Sequence, residues 1–227
     1  MLSAPLFFGR SFLILLPALA FAIYAQWKVR STYARYGRVE SQRNVTALQA
    51  AKQVLANEGV EGVTFEQTAR RLSDHYDPRR KTLRLSEPAS DSIAAIGIAA
   101  HEAGHAIQQA RGFRPLALRT AIVPIATFGS QLAFPLFFIG LFAQSQVLVT
   151  AGIVAFSAAM LFTLITLPVE FNASRRAVGA LRSTALVSEE ELGAVKEVLF
   201  AAALTYVAAA AMAALQLLML LSVSRRR

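Results

Sequence analysis

The 227-residue chain contains no cysteine. This excludes a disulfide framework and any metal site built on thiolates. A bound metal would have to be held by His, Asp or Glu, and the chain has only three histidines, His75, His101 and His105. Charged residues are also scarce, at 16% of the chain against a usual share of roughly 25%. With 55% apolar residues, this shortage of charge indicates membrane-spanning segments.

The formal net charge is +9, and a basic balance often accompanies nucleic-acid binding. Here most arginines stand beside apolar runs, and no zinc-finger or RRM pattern is visible. The charge is more typical of a membrane protein that keeps its basic residues on the inner side and contacts anionic lipid. We therefore expect membrane lipid, and no nucleic acid, as a partner.

Four apolar stretches approach or exceed the roughly 20 residues that cross a bilayer as a helix. They cover residues 11–27, 121–143, 147–169 and 200–223. The first resembles a signal peptide, but the basic residues that follow it at Lys28 and Arg30 favour an uncleaved anchor. The sequence predicts a mainly α-helical membrane protein with about four transmembrane helices.

The second and third stretches are joined by three residues and would form a hairpin. The segments 28–120 and 170–199 then lie on one side, and they hold all 14 acidic residues and most of the 23 Lys and Arg residues. The positive-inside rule makes this side cytoplasmic. We expect a multi-pass protein of a bacterial-type plasma membrane with an N-terminal anchor (1–27), a cytoplasmic segment (28–120), a transmembrane hairpin (121–169), a second cytoplasmic segment (170–199) and a C-terminal helix (200–227).

Local patterns predict three short elements in the first cytoplasmic segment. Apolar residues at helical spacing predict a helix over 41–57. Residues 64–73 suit a second short helix, in which Thr64 and Gln67 form a capping box. Residues 82–86 alternate between polar and apolar and predict a short edge strand. Such an edge is able to pair with an extended peptide substrate.

The sequence HEAGH at residues 101–105 matches the H-E-x-x-H pattern of zinc-dependent hydrolases. On a helix, His101 and His105 lie on one face and are able to hold one zinc ion. Glu102 is then placed to act as general base toward water at the metal. Ser92 or Asp91 is a suitable N-cap for this helix, and Gly112 is suited to end it.

Two histidines leave zinc short of a protein ligand. One common zincin pattern has a Gly and a further His after the second His, but Gln108 and Arg111 occupy those places here. Glu170 is the outstanding candidate, because an acidic group at the end of an apolar span is costly without a partner. The alternative is that Glu170 pairs with Arg175 or Arg176.

The segments HEAGHAIQ and VEFNAS, with YDPRRKTLRLS and TLPVEFNASRRA around them, resemble the neutral zinc metallopeptidase type 2 family, the YugP-type membrane zinc metallopeptidases. More distantly, the chain resembles the HtpX-like and CAAX prenyl protease type I group. The resemblance implies that His101, His105 and Glu170 are zinc ligands and that Glu102 is the catalytic base. The HtpX-like and CAAX prenyl protease type I group usually has an Asp where this chain has Ser174. An Asp that would orient a histidine ligand is therefore absent from this position.

These observations predict a membrane-embedded zinc endopeptidase with a small zincin-like catalytic part and one zinc ion per chain. Its substrates would be proteins or peptides, including membrane proteins. His75, Tyr206, Arg175 and Arg176 are chemically suited to stabilise an oxyanion, but each has an ordinary structural role as an alternative. A non-catalytic zinc-binding membrane scaffold and a site-2-type intramembrane protease remain competing hypotheses.

Overall fold

The chain is largely helical, as the sequence predicts. The computed structural model describes residues 13–70 and 72–225. The helices are α1 (Leu16–Tyr36), α2 (Ala47–Asn57), α3 (Ile93–Ala110), α4 (Arg114–Phe142), α5 (Gln146–Thr184) and α6 (Glu189–Ser224). The strands are β1 (Thr64–Gln67), β2 (His75–Asp77) and β3 (Thr82–Leu85).

Three helices of the described chain, α4, α5 and α6, are long and apolar enough to cross a membrane. Many of their large apolar side chains are exposed, for example Phe128, Phe142 and Val147, as expected of surfaces that face lipid. The predicted spans at 147–169 and 200–223 lie inside α5 and α6, and the span at 121–143 lies in α4 except for its last residue. The helices are longer than the spans, so that most of residues 170–199 is helical.

The fourth predicted span, 11–27, stays a prediction. Residues 11 and 12 lie outside the described residues. Residues 16–27 lie in α1, which is not among the three long apolar helices. Its second half carries Lys28, Arg30 and Arg35, which shorten its apolar part.

The chain divides into two compact units. The first unit comprises Met1–Gln26, Leu118–Leu167 and Thr205–Arg227, and the second comprises Trp27–Ala117 and Pro168–Leu204. The core of the first unit is built around Phe137 and Leu220. The core of the second unit joins α2, α3 and the sheet to the parts of α5 and α6 that belong to it. The second unit contains the HEAGH sequence.

The three strands form one sheet in the order β1-β3-β2. Strand β3 pairs in parallel with β1, with Thr64 opposite Thr82, and antiparallel with β2, with His75 opposite Arg84. The strand predicted at 82–86 is therefore present at Thr82–Leu85, but the prediction that it is an edge strand is wrong. Strand β3 is central because β1 and β2 pair with its two edges, and its Leu83 and Leu85 are buried in the core.

The predicted helix over 64–73 is also wrong, because its first four residues form strand β1. The backbone N–H of Thr64 donates to the carbonyl of Lys81, and that of Thr68 donates to the carbonyl of Leu85. Phe65 packs against the core. Pairing with β3 and the burial of Phe65 override the capping-box pattern, since local propensity is a weak determinant beside tertiary contacts.

Helices α2 and α3 of the second unit each begin directly after an N-cap residue. The predicted helix 41–57 begins only at Ala47, since Thr46 is extended and forms a capping box with Gln49. Helix α3 begins after Ser92, whose side chain accepts a hydrogen bond from the N–H of Ala95, which confirms one of the two predicted caps. Gly112, with φ +62°, follows its end in the left-handed conformation that glycine adopts at little cost.

Helices α3 and α5 approach closely at Gly104. A Cβ atom added to Gly104 would lie 2.6 Å from the carbonyl oxygen of Ala173, far inside van der Waals contact. Because Gly104 has no side chain, the backbone of α5 packs directly on α3. This contact sets the distance between the two helices beside His101 and His105.

We expect Gly104→Ala to destabilise the protein by about 1–3 kcal/mol, the usual cost of overpacking, because the added methyl group meets backbone. Thermal unfolding of the purified chain in detergent measures the effect. Gly179→Ala is the matched control, since a Cβ at Gly179 meets nothing within 4 Å and alanine is the better helix former. Equal unfolding temperatures for the two variants would contradict the packing role of Gly104.

Candidate metal centre

Two histidines on α3 and one glutamate on α5 converge in the second unit. The four-residue spacing places His101 and His105 on one face of α3, with their ring centroids 4.8 Å apart and nearly perpendicular. Glu170 lies opposite them, with Oε2 3.2 Å from Nε2 of His101 and Oε1 3.7 Å from Nε2 of His105. One ligand atom from each of the three residues lies within 4.8 Å of the others.

The distances from Glu170 to the two histidines fit a zinc ion. Ligand atoms about 2.0–2.1 Å from a tetrahedral zinc lie about 3.3–3.4 Å from one another, between the two observed nitrogen–oxygen distances. Two imidazoles and one carboxylate are also a known catalytic zinc set, which leaves the fourth position for water or substrate. Among the described residues, this is the one such group of His, Cys, Asp or Glu.

The outer nitrogen of each histidine has a partner that orients its ring. Nδ1 of His101 lies 3.1 Å from Oγ of Ser174, and Nδ1 of His105 lies 3.0 Å from Oε1 of Gln108. The amide oxygen of Gln108 is an acceptor, so the Nδ1–H of His105 donates to it and Nε2 keeps its lone pair for a metal. Ser174 therefore contacts His101 from the position at which the HtpX-like and CAAX prenyl protease type I group usually has an Asp.

Gln108 joins the metal centre to α5. Its side chain is fully buried, and Nε2 donates to the carbonyl oxygen of Val169 at 2.8 Å and to Oδ1 of Asn172 at 3.0 Å. Arg176 also donates to Oδ1 of Asn172, at 2.8 Å. In the sequence, Gln108 stands out only as a residue that breaks a zincin pattern. Its position three residues after His105, on the same face of an apolar helix, is the signal that identifies it.

Glu102 is held beside the histidines by strand β2. Its side chain is nearly buried, and Oε2 accepts a hydrogen bond of 2.9 Å from the backbone N–H of Tyr76. The hydroxyl of Tyr76 donates to Oε1 of Gln109 at 2.6 Å, and Nε2 of Gln109 donates to the carbonyl oxygen of Pro78 at 2.9 Å. These bonds fasten β2 to α3 and fix one oxygen of Glu102.

The electrostatic environment of His105 favours a cation. Burial lowers the pKa of His105, but the nearby carboxylates of Glu170 and Glu102 outweigh burial and raise the pKa above the ordinary value of histidine. A site that holds a proton more firmly for this reason is also one that attracts a divalent metal, since both interact with the same negative charges.

The structure does not bring His75 into this group. His75 lies on β2, exposed, with Nδ1 2.8 Å from the carbonyl oxygen of Ser73 and Nε2 3.2 Å from Arg84. Arg176 is bonded to Asn172, and Tyr206 belongs to the first unit. Arg175 lines a groove between α5 and α6. The four residues that are chemically suited to stabilise an oxyanion are therefore not part of the group formed by His101, His105 and Glu170.

Comparison with known proteins agrees with this chemistry. Residues 11–225 match a family model described as "Putative neutral zinc metallopeptidase". The chain is also 44% identical over 203 residues to the "Putative membrane protease YugP" of Bacillus subtilis (strain 168), which covers 88% of this chain and 90% of the relative. No solved structure matches. The family implies zinc, and His101, His105 and Glu170 form a group that is able to hold a metal ion. Since the match spans nearly the whole chain, the protein belongs to this family of neutral zinc metallopeptidases.

Proposed function

We propose that the protein is a membrane-embedded zinc-dependent endopeptidase with Glu102 as its general base. The proposal rests on the convergence of His101, His105 and Glu170. The carboxylate of Glu102 directly follows the first of these histidines in the sequence. A structural zinc site needs no base and is usually closed by four protein ligands. A three-ligand set beside a fixed glutamate is typical of hydrolysis.

Each residue of the centre would then have one task. Bound zinc would supply a Lewis acid that polarises the scissile carbonyl and makes water a better nucleophile. Glu102, anchored through one oxygen by Tyr76, would take the proton of the attacking water and pass it to the leaving amine. Ser174 and Gln108 would keep the two imidazoles oriented.

Strand β2 is the natural neighbour of an extended substrate. It forms one edge of the sheet, and the N–H of Tyr76, which points away from β3, reaches Glu102. A peptide lying along this edge would pass beside the base. The pairing role predicted for the strand at 82–86 is not open to that strand, since β1 and β2 occupy both of its edges.

The nearness of Glu170 to a candidate membrane span suggests the substrates. Glu170 follows the apolar part of α5, one of the three candidate spans, and the relative from Bacillus subtilis is described as a membrane protease. We propose a multi-pass arrangement with the centre on the cytoplasmic side, supported by the charge distribution. Peptides and membrane proteins near that surface would be its substrates.

We expect Glu102→Gln to retain zinc but to lower turnover by about 10²–10⁴-fold or more, the usual contribution of a general base. The purified, zinc-loaded chain in detergent is incubated with a quenched fluorescent peptide library and an unstructured protein, with zinc content measured in parallel. Glu190→Gln, an exposed change at the start of α6, is the charge-matched control. We expect Glu170→Gln to lose zinc and activity together.

Full zinc with no cleavage by wild type on any substrate would favour the non-catalytic scaffold. Cleavage by Glu102→Gln at the wild-type rate would show that Glu102 is not the base. Zinc retained fully by Glu170→Gln would remove this residue from the ligand set.

Zinc binding is expected to weaken as pH falls. The raised pKa of His105 means that protons begin to compete with zinc above the ordinary histidine value of about 6.5. Zinc affinity measured from pH 8 to pH 5 with a fluorescent competitor should decrease steadily through this range. An affinity independent of pH would contradict ligation by His105.

A further inference from the structure

A groove with a volume of about 440 Å³ lies between α5 and α6, within the second unit. Its wall is almost entirely apolar and includes Phe171 and Val178 of α5 and Phe200 and Ala203 of α6. Both phenylalanines are partly exposed. Apolar surface of this kind indicates an apolar occupant.

Two cations, Arg175 and Lys196, also line the groove. Both are exposed, and neither makes an ion pair with an acidic side chain of the described chain. Glu197, next to Lys196 in sequence, accepts from the Tyr36 hydroxyl. Glu189 forms its ion pair with Arg182, and its charge also attracts Lys196 at longer range. The groove thus combines an apolar wall with two positive charges available to a ligand.

The cations and the apolar wall are ordered along the helices. On α5 the apolar stretch comes first, then Phe171, and Arg175 follows one turn later. On α6 Lys196 comes first, and Phe200 and Ala203 follow on the way into the apolar stretch. On both helices the cation is therefore farther from the apolar stretch than the aromatic ring is. An anionic head would lie by the cations and an acyl chain would run toward the apolar stretches.

We propose that this groove binds one anionic phospholipid. Its phosphate would contact Arg175 and Lys196, and one acyl chain would lie against Phe171, Phe200 and Ala203. Basic pockets between membrane helices recognise lipid head groups in this way. An acyl chain suits the groove better than a peptide does, because a peptide carries backbone groups that need hydrogen-bond partners, and the wall offers few.

The groove also reaches the metal centre. Ser174 lines it, and Oγ of Ser174 lies 3.1 Å from Nδ1 of His101. A lipid in the groove would therefore contact the residue that orients a histidine ligand. The proposal for lipid binding does not depend on the chain being a peptidase.

Native mass spectrometry of the zinc-loaded full chain in mild detergent tests the proposal. The chain is titrated with phosphatidylglycerol and with phosphatidylcholine carrying the same acyl chains. We expect one phosphatidylglycerol per chain, preferred about 30-fold over phosphatidylcholine, the effect of two cations at a lipid surface. The double variant Arg175→Gln/Lys196→Gln should lose this preference, and Arg175→Lys/Lys196→Arg should keep it.

Arg79→Gln/Arg80→Gln is the matched control, since it removes two exposed charges at the turn between β2 and β3, away from the groove. It should bind phosphatidylglycerol as the wild type does. Zinc content and elution volume establish that each variant is folded.

Three results would overturn the proposal. The first is an equal loss in the groove variant and the control, which would indicate general charge attraction. The second is displacement of the lipid by glycerol 1-phosphate at equal concentration, which would remove the acyl chain from recognition. The third is a groove that binds an acidic apolar peptide, with a lipid preference that the groove variant leaves unchanged.

Discussion

The structure depends on the burial of one carboxylate, that of Glu170, at the end of the apolar part of α5. Only 2% of Glu170 is exposed, and a buried carboxylate is costly unless positive charge and hydrogen bonds compensate. The compensation comes from α3, which presents His101 and His105 to its two oxygens. A divalent metal among the three would satisfy all of them better than a shared proton does. The close contact of α3 and α5 at Gly104 makes this geometry possible.

Each structural element contributes a separate part of the centre. Helix α3 carries His101, His105 and Glu102, α5 carries Glu170 and Ser174, and β2 fixes Glu102 through a backbone N–H. Gln108 connects His105 to the carbonyl of Val169. The supporting bonds come from buried or half-buried groups, so the ligands are positioned before a metal or a substrate arrives. All these residues belong to one compact unit.

The elements that could be predicted are those whose signal is local. Ser92 caps α3, and the spacing of His101 and His105 is a property of one helix. The cap and the shared face of the two histidines can therefore be predicted from the sequence. Glu170 could be proposed because an acidic residue at the end of an apolar stretch is unusual. Strand β1 was mistaken for a helix, since only pairing with β3 makes it a strand. The contacts of Ser174 with His101 and of Gln108 with α5 depend on how closely two helices pack, which no local pattern reveals. The groove beside Arg175 has the same origin.

The central claim is that one zinc ion is held by two histidines of α3 and by Glu170 of α5. X-ray absorption at the zinc K-edge, measured on the zinc-loaded full chain in detergent, tests it most directly. The account predicts two imidazole ligands and oxygen ligands at about 2.0–2.1 Å, with one imidazole lost in His105→Ala. A spectrum with fewer than two imidazoles, or one that His105→Ala leaves unchanged, would show that the metal is held elsewhere and would contradict the account.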